Sequence, residues 1–274
     1  MKCFYHKSDL DGHCSGAIIR QENPECEMIG VDYTDSLDSL KMRGCFQSGE
    51  TVFVVDFSFS LSDMEYLNDH TDLVWIDHHK SAIEKCKSIE CSGAREIGKA
   101  GCELTWEYMH PISMPRSVKL LGRYDVWDHV NPDVLPFQYG FRSLPDTLPE
   151  SEIWEYILLP NPDDIDRIIS LGMTIIDYER KQNKIYAKGM SYESELEGLR
   201  AIVINKAFSN SKIFDSVYDP EKHDIMVLFG IKQGEYKYSL YSTKDSVDVS
   251  EIAVKYGGGG HKGAAGFYSK TQLV

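Results

Sequence analysis

Short apolar runs that end abruptly in acidic or histidine residues place the strongest limit on how this chain can fold. KCFYH (2–6) runs into SDLDG, TVFVV (51–55) into DFS, and LVWI (73–76) into DHH, with EMIGVDY (27–33) as a further apolar run. Each is strand-like in length and richness in Val, Ile and aromatic residues. Between them lie helix-like stretches, one from His13 to about Gln21, another opening at Ser60 with Asp63 three residues on and reaching about His70. Strands alternating with helices predict an α/β fold, a mostly parallel sheet with helices on both faces.

The texture changes further on. Pro145, Pro149, Pro160 and Pro162 punctuate the chain, and a helical pattern then runs from Pro162 to about Met190, with Ile168, Ile169, Met173, Ile176 and Tyr178 near one face. RAIVINKAF (200–208) reads as a strand, IMVLFGI (225–231) and YKYSLYS (236–242) as a hairpin turning at Gln233–Gly234, and 249–256 as a short helix. The expected organisation is a catalytic metal-binding domain over 1–160, a connecting helix over 161–194 and a smaller α/β domain over 195–274.

In open parallel sheets, ligands gather beyond the carboxyl ends of the strands. Three such ends here carry candidate metal ligands: His6, Asp9 and Asp11 in H-x-x-D-x-D-G, then Asp56, then Asp77, His78 and His79. Taken singly, D-x-D-G is more often a turn or helix cap, Asp56 could cap a helix, and D-H-H could be a polar loop. Taken together they point to a cation, because gathered carboxylates are costly to bury without one. Mixed carboxylate and imidazole donors suit Mn²⁺, Zn²⁺ or Fe²⁺ better than an all-oxygen cage, and the excess of oxygen favours Mn²⁺. A second ion needs a fourth element; LLGRYDVWDH (120–129) offers Asp125 and Asp128, of which Asp125 is favoured by its place in the motif.

GGGGHKGAAGF (257–267) is the most unusual string. Consecutive glycines cost conformational entropy, and their expected use is to bring backbone N–H groups of Gly258, Gly259 and Gly260 close to a phosphate, with His261 and Lys262 as further donors. Phe267 and Tyr268 suggest a renewed strand afterwards, against a flexible tail.

The formal net charge of −14 argues against a partner such as long duplex nucleic acid, whose binding depends on many Lys and Arg contacts to phosphates. A small phosphate ligand remains compatible if bound cations supply local positive charge. Seven scattered cysteines with no C-x-x-C pair argue against a disulfide framework and a thiolate zinc site. No stretch of about 18 apolar residues is present, and the first residues lack a signal-peptide pattern, so no membrane partner and a cytoplasmic location are expected.

With these motifs in hand, the chain resembles the DHH phosphoesterase superfamily, in its oligoribonuclease-like members with a C-terminal DHH-associated domain. HKSDLDG, VVDFS, WIDHH and RYDVWDH resemble the family's four motifs in order, and GGGGHKGAAGF the signature of the associated domain. The resemblance implies a two-domain enzyme with its active site in the cleft between domains. It implies one Mn²⁺ on His6, Asp9 and Asp56, and another on Asp11, Asp56, His78 and Asp125, with Asp56 bridging. Asp77 would orient the histidines, His79 would face the phosphate or support the ligands, and His261 would hold the substrate phosphate. Tyr241 stands in Ser239-Leu240-Tyr241-Ser242 where the family often has Arg; it can stack or donate one hydrogen bond but cannot grip phosphate bidentately.

The implied reaction is hydrolysis of short oligoribonucleotides or linear dinucleotides to mononucleotides by a water activated between two metals. Cyclic dinucleotides or nucleoside 3′,5′-bisphosphates are alternative substrates, and a nucleotide-binding regulator is the non-enzymatic reading. Phe208, Tyr236 and Tyr241 could stack on bases, although most such aromatics are expected in the core. A homodimer is compatible with the resemblance.

Overall fold

The computed structural model describes residues 1–110, 113–159 and 162–274. Pro160, one of the punctuating prolines, and the expected division at 160–161 lie outside the described residues. The chain divides into Met1–Ile175 and Ile176–Val274, and each unit is taken by itself.

The first unit opens with β1 (Lys2–His6), α1 (Leu10–Glu22), β2 (Glu27–Val31), β3 (Thr51–Val55), α2 (Leu61–His70), β4 (Asp72–Ile76) and α3 (Lys80–Lys85). Four further helices follow: α4 (Gly101–Met109), α5 (Arg116–Asp125), α6 (Val134–Arg142) and α7 (Ile153–Ile157). The strands form one parallel sheet in the order β2-β1-β3-β4. Strand alternation sends Phe4, Val52, Val54, Leu73 and Trp75 to one face, where they pack with Met64 and Leu67 of α2. It sends Cys3, Tyr5, Phe53, Val55, Val74 and Ile76 to the other, with Ile19 of α1 and Leu104 of α4. Both faces are therefore buried, which is why the strands read as nearly continuous apolar runs. A separate helical core of α1, α4, α5, α6 and α7 lies beyond.

From β1 the chain moves to β2 on one side and then returns to β3 on the other. The sheet thus reverses its strand order between β1 and β3, and ligands settle at such a crevice. Tyr5 pairs with Val55, and Val55 with Ile76. One residue further on, His6, the last residue of β1, stands in a row with Asp56 and Asp77, which directly follow β3 and β4.

A 29-residue helix, α8 (Pro162–Met190), runs through the division between units. The second unit adds β5 (Ser191–Leu196), β6 (Leu199–Asn205), a 3₁₀ turn (Ser211–Phe214), β7 (Ile225–Lys232), β8 (Glu235–Tyr241), α9 (Val249–Lys255), β9 (Gly259–His261) and β10 (Ala264–Ser269). Its sheet order is β5-β6-β7-β8-β10-β9, with β6 and β7 parallel and all other neighbours antiparallel. One face packs Val227, Phe229, Leu240 and Phe267 against Val249 and Ile252 of α9. The other packs Ile202, Ile204, Met226 and Leu228 against Ala187 of α8 and Phe214. The expected hairpin turns at Gln233 and Gly234, both with positive φ (54° and 87°), as a tight antiparallel connection requires.

Two expectations change. The glycine-rich segment is a short edge strand rather than an open loop, and the backbone crowds it. A Cβ at Gly258 would lie 2.1 Å from the Gly266 carbonyl oxygen, and one at Gly260 2.4 Å from the Cα of Ala265. Those two glycines meet a packing need of the fold. Phe208 is 98% exposed and not core, whereas Tyr236 and Tyr241 are half-buried against the two apolar clusters.

All seven cysteines are free. Among the described residues, no helix is long and apolar enough to cross a membrane.

Candidate metal centre

The row past the strand ends is completed by two helix termini. Asp9 is the N-cap of α1, its carboxylate accepting from the Gly12 N–H at 3.0 Å. This cap starts the helix at Leu10, earlier than the expected His13, and places Asp11 in the first turn. Asp11 is buried and accepts from the N–H groups of Gly101 (2.8 Å) and Cys102 (2.7 Å) at the start of α4. A helix N-terminus is a natural support for a carboxylate. Asp125 is the last residue of α5.

The side chains of His6, Asp9, Asp11, Asp56, His78 and Asp125 converge. His6 Nδ1 lies 2.9 Å from Asp9 Oδ2 and 3.7 Å from Asp56 Oδ2. His78 Nε2 lies 3.2 Å from Asp56 Oδ1, 3.3 Å from Asp125 Oδ2 and 3.6 Å from Asp11 Oδ2. Three overlapping triads have donor atoms within 4.8 Å of one another: His6–Asp9–Asp56, Asp56–His78–His79 and Asp11–His78–Asp125. Asp56 and His78 each belong to two.

Close approach is not the same as pairing. His6 Nδ1, His78 Nε2 and Asp56 Oδ1 are buried, and none has an aligned hydrogen bond despite those short distances. Lone pairs aimed at a common point without protons between them fit a divalent cation. The titration tendencies agree with crowding. Burial, then the charges of Asp56 and Asp125, push the Asp11 carboxyl well above its usual range. Burial and Asp56 push Asp125 up to about 6. Burial opposes the charge on Asp56, but His6 and His78 hold it at about 2. Burial likewise opposes the charge on His6, yet Asp56 and Asp9 raise it to about 10.

Asp77 sits beneath the centre. Its Oδ1 accepts from the backbone N–H of His78 (2.7 Å) and of His79 (3.1 Å) and meets His79 Nδ1 at 2.7 Å. The contact to Asp77 raises the His79 imidazole above its ordinary value. The far nitrogen, His79 Nε2, lies 3.1 Å from the Tyr33 hydroxyl.

Backbone geometry at the centre is unusual. Asp56 has φ +51° and Trp127, two residues beyond Asp125, φ +63°. Non-glycine residues seldom hold this conformation, and it concentrates at functional sites. A Cβ on Gly12 would lie 1.9 Å from the His6 carbonyl oxygen, and one on Gly101 2.6 Å from the Asp56 Cβ. These two glycines let the helices approach the strand ends.

Three contributors escaped the sequence reading. Tyr33 was placed inside a strand, but β2 stops at Val31 and leaves Tyr33 57% exposed beside His6 and His79. Asp32 approaches His6 Nε2 at 3.9 Å. Gly101 with the Cys102 N–H supports Asp11; glycines at 98 and 101 just before a helical run were its only signal. Asp128 instead pairs with Arg123 at 3.5 Å.

In the second unit, Gly258, Gly259, Gly260, His261 and Lys262 are exposed along the edge strand β9 and its turn into β10. Tyr241 ends β8, opposite Ala264, which in turn pairs with His261. Tyr241 and His261 therefore lie in one row across three strands.

Comparison with known proteins follows this division. Residues 204–273 match the DHHA1 domain family. An uncharacterized protein, R106 of Acanthamoeba polyphaga mimivirus, is 28% identical over 229 residues, 79% of this chain and 52% of that protein. The chain thus spans about half the length of this curated relative. Among solved structures, the pGpG-specific phosphodiesterase PggH from Vibrio cholerae superposes with TM-score 0.57 at 12% identity, over 97% of this chain and 92% of that one. A DHH domain described as a member of the s1p family of ribosomal proteins superposes with TM-score 0.56 at 14% identity, over 98% and 82%. The chain shares its fold with these two structures, one of them a DHH domain, and its residues 204–273 match the DHHA1 domain family.

Proposed function

We propose that this chain is a Mn²⁺-dependent phosphodiesterase that hydrolyses short oligoribonucleotides or linear dinucleotides to mononucleotides. The observation that carries the reading is the sharing of Asp56 and His78 between overlapping ligand triads with unpaired buried donor atoms. Shared ligands are what two neighbouring cations need. PggH, which has the same fold, is described as a phosphodiesterase specific for pGpG, a linear dinucleotide.

Bound in pairs, divalent ions supply charge that acidifies water and offsets negative charge on phosphoryl oxygens. His6, Asp9 and Asp56 would hold one, and Asp11, Asp56, His78 and Asp125 the other. Asp77 fixes the tautomer of His79 by accepting from Nδ1, leaving Nε2 as the atom that can face substrate. Because Asp77 favours the charged imidazole, His79 can hold a proton at Nε2 and pass it to the departing oxygen. Tyr33 keeps that nitrogen oriented when no substrate is present. His261 and Lys262 are proposed to bind substrate phosphate in the second unit.

The test is turnover by purified protein with Mn²⁺ across di- to pentanucleotides, cyclic dinucleotides, nucleoside 3′,5′-bisphosphates and pyrophosphate. Linear dinucleotides and short RNA should be the best substrates, and Asp56→Ala or His78→Ala should abolish turnover in folded protein. Wild-type rates in either variant would defeat the ligand assignment. Binding without cleavage of any of these would leave a nucleotide-binding regulator.

A further inference from the structure

We infer that the second unit holds a basic, aromatic pocket, separate from the His261 and Tyr241 row, that takes a further nucleotide of a linear chain. The inference rests on the phosphodiesterase reading for its consequence, a preference for substrate length. A depression in this unit is lined by Lys206, Phe208, Gly230, Lys232, Lys237 and Ser239, among others, and no carboxylate lines it. In a chain of net charge −14, three lysines around one concavity form a local reversal of sign.

Among the described residues, nothing acidic pairs with these lysines. Lys206 Nζ donates to the neutral Asn183 amide oxygen at 3.2 Å and lies 5.0 Å over the Tyr186 ring. Among the described residues, Lys232 and Lys237 are exposed and form no salt bridge. Phe208 has no packing reason for its place, being 98% exposed on a backbone with φ +52°. Gly230 is what allows the Phe208 segment to lie on the sheet: a Cβ there would be 2.8 Å from that of Ala207. A free phenyl face beside unpaired ammonium groups is the combination that binds bases and phosphates of a single strand.

The strand register connects this pocket to the glycine-rich edge. Lys237, Ser239 and Tyr241 alternate onto one face of β8. Ser239 pairs with Gly266, and Gly266 with Gly259, so a row nearly free of bulky side chains crosses from the edge strand to the pocket. Tyr241 and Lys237 are four residues apart, about 13 Å along a strand. A ligand touching both ends must therefore be an extended one, longer than a single phosphate group. Linear oligonucleotides have that shape and charge.

The experiment compares wild type with Phe208→Ala and Lys237→Gln, both changes at exposed side chains, in the intact chain with Mn²⁺. kcat/KM is measured for dinucleotide to pentanucleotide RNA and for bis(p-nitrophenyl) phosphate, which is too small to span the row. The ratio of trinucleotide to small-diester kcat/KM should fall roughly 5- to 100-fold in Phe208→Ala, through KM, the range expected for one stacked base. An unchanged ratio overturns the pocket. If wild type cleaves nothing, the phosphodiesterase reading fails separately, and fluorescence anisotropy of labelled trinucleotide in EDTA decides the pocket. Weakened binding in both variants supports it, and equal binding by all three proteins overturns it.

Discussion

Asp56→Asn is the most informative single perturbation, because it removes one ligand from two of the three overlapping triads while keeping the side chain's shape. A cation that binds only the folded state stabilises it by about 2.7 kcal/mol when present at a hundred times its Kd. For a chain of this size each kcal/mol moves Tm by ~2–4 °C, so saturating Mn²⁺ should raise the wild-type Tm by roughly 5–11 °C over EDTA. In Asp56→Asn most of that increment should vanish. Asp125→Asn, which touches one triad, should lose only part of it. Asp177→Asn, on an exposed carboxylate paired with Arg180 along α8, should keep all of it and so controls for diffuse binding to an acidic surface. The EDTA baselines are less telling. Removing the Asp56 charge relieves Asp11 and Asp125 but deprives His6 and His78 of a partner, and these effects oppose each other. Differential scanning fluorimetry across a Mn²⁺ titration reads the difference directly. A full wild-type increment in Asp56→Asn would refute the shared-ligand arrangement.

Gly101→Ala should shrink the metal-induced Tm increment and cost about 1–3 kcal/mol by overpacking, since the new methyl would press on the Asp56 side chain at 2.6 Å; metal titration with thermal melts checks both. Asp77→Asn should lower kcat about 10- to 100-fold while leaving most of the metal increment, because Asp77 supports His79 and is not itself a member of a ligand triad; steady-state kinetics beside the fluorimetry separates the two effects. Glu50 is held at about 2, although burial opposes its charge, by the Gln47 N–H and Lys2. A carboxyl depressed in the folded state contributes stability above its unfolded value of 4.5 that disappears as pH falls toward 2. Glu50→Gln should therefore melt lower than wild type at pH 7, by ~1–2 kcal/mol, with the gap closing between pH 4.5 and 2 in a pH series of melts.

The fold was legible where one physical rule dominates. Burial on both sides makes β1, β3 and β4 continuous apolar runs, and their abrupt ends at His6, Asp56 and Asp77 mark the carboxyl edge without reference to three dimensions. Ser60 announced its helix for the same reason, its hydroxyl accepting from the Asp63 N–H as the residue pattern suggests. What was illegible depends on where separate segments meet. The apolar LL before Asp125 is too short to tell strand from helix, and it is one face of a helix packed in the helical core. Short apolar runs do not distinguish the two cases. Among the glycines at 257–260, Gly258 and Gly260 show their freedom in the sequence but not the neighbour that demands it, here β10.

Tyr33 and Gly101 show the same limit at the site itself. Neither residue type signals metal chemistry, and neither lies in a ligand motif; each matters only because a distant segment arrives beside it, His79 in one case and Asp56 in the other. The candidate ligand residues could be recognised from their combination because Asp and His carry their chemistry intrinsically, whereas supporting residues acquire theirs from packing. The reversal of strand order between β1 and β3 is what joins the two classes. It opens the crevice beside which the first N–H groups of α4, those of Gly101 and Cys102, hold the Asp11 carboxylate. Burial and the neighbouring Asp56 and Asp125 disfavour the charge on that carboxylate, and a bound cation is what would offset the cost.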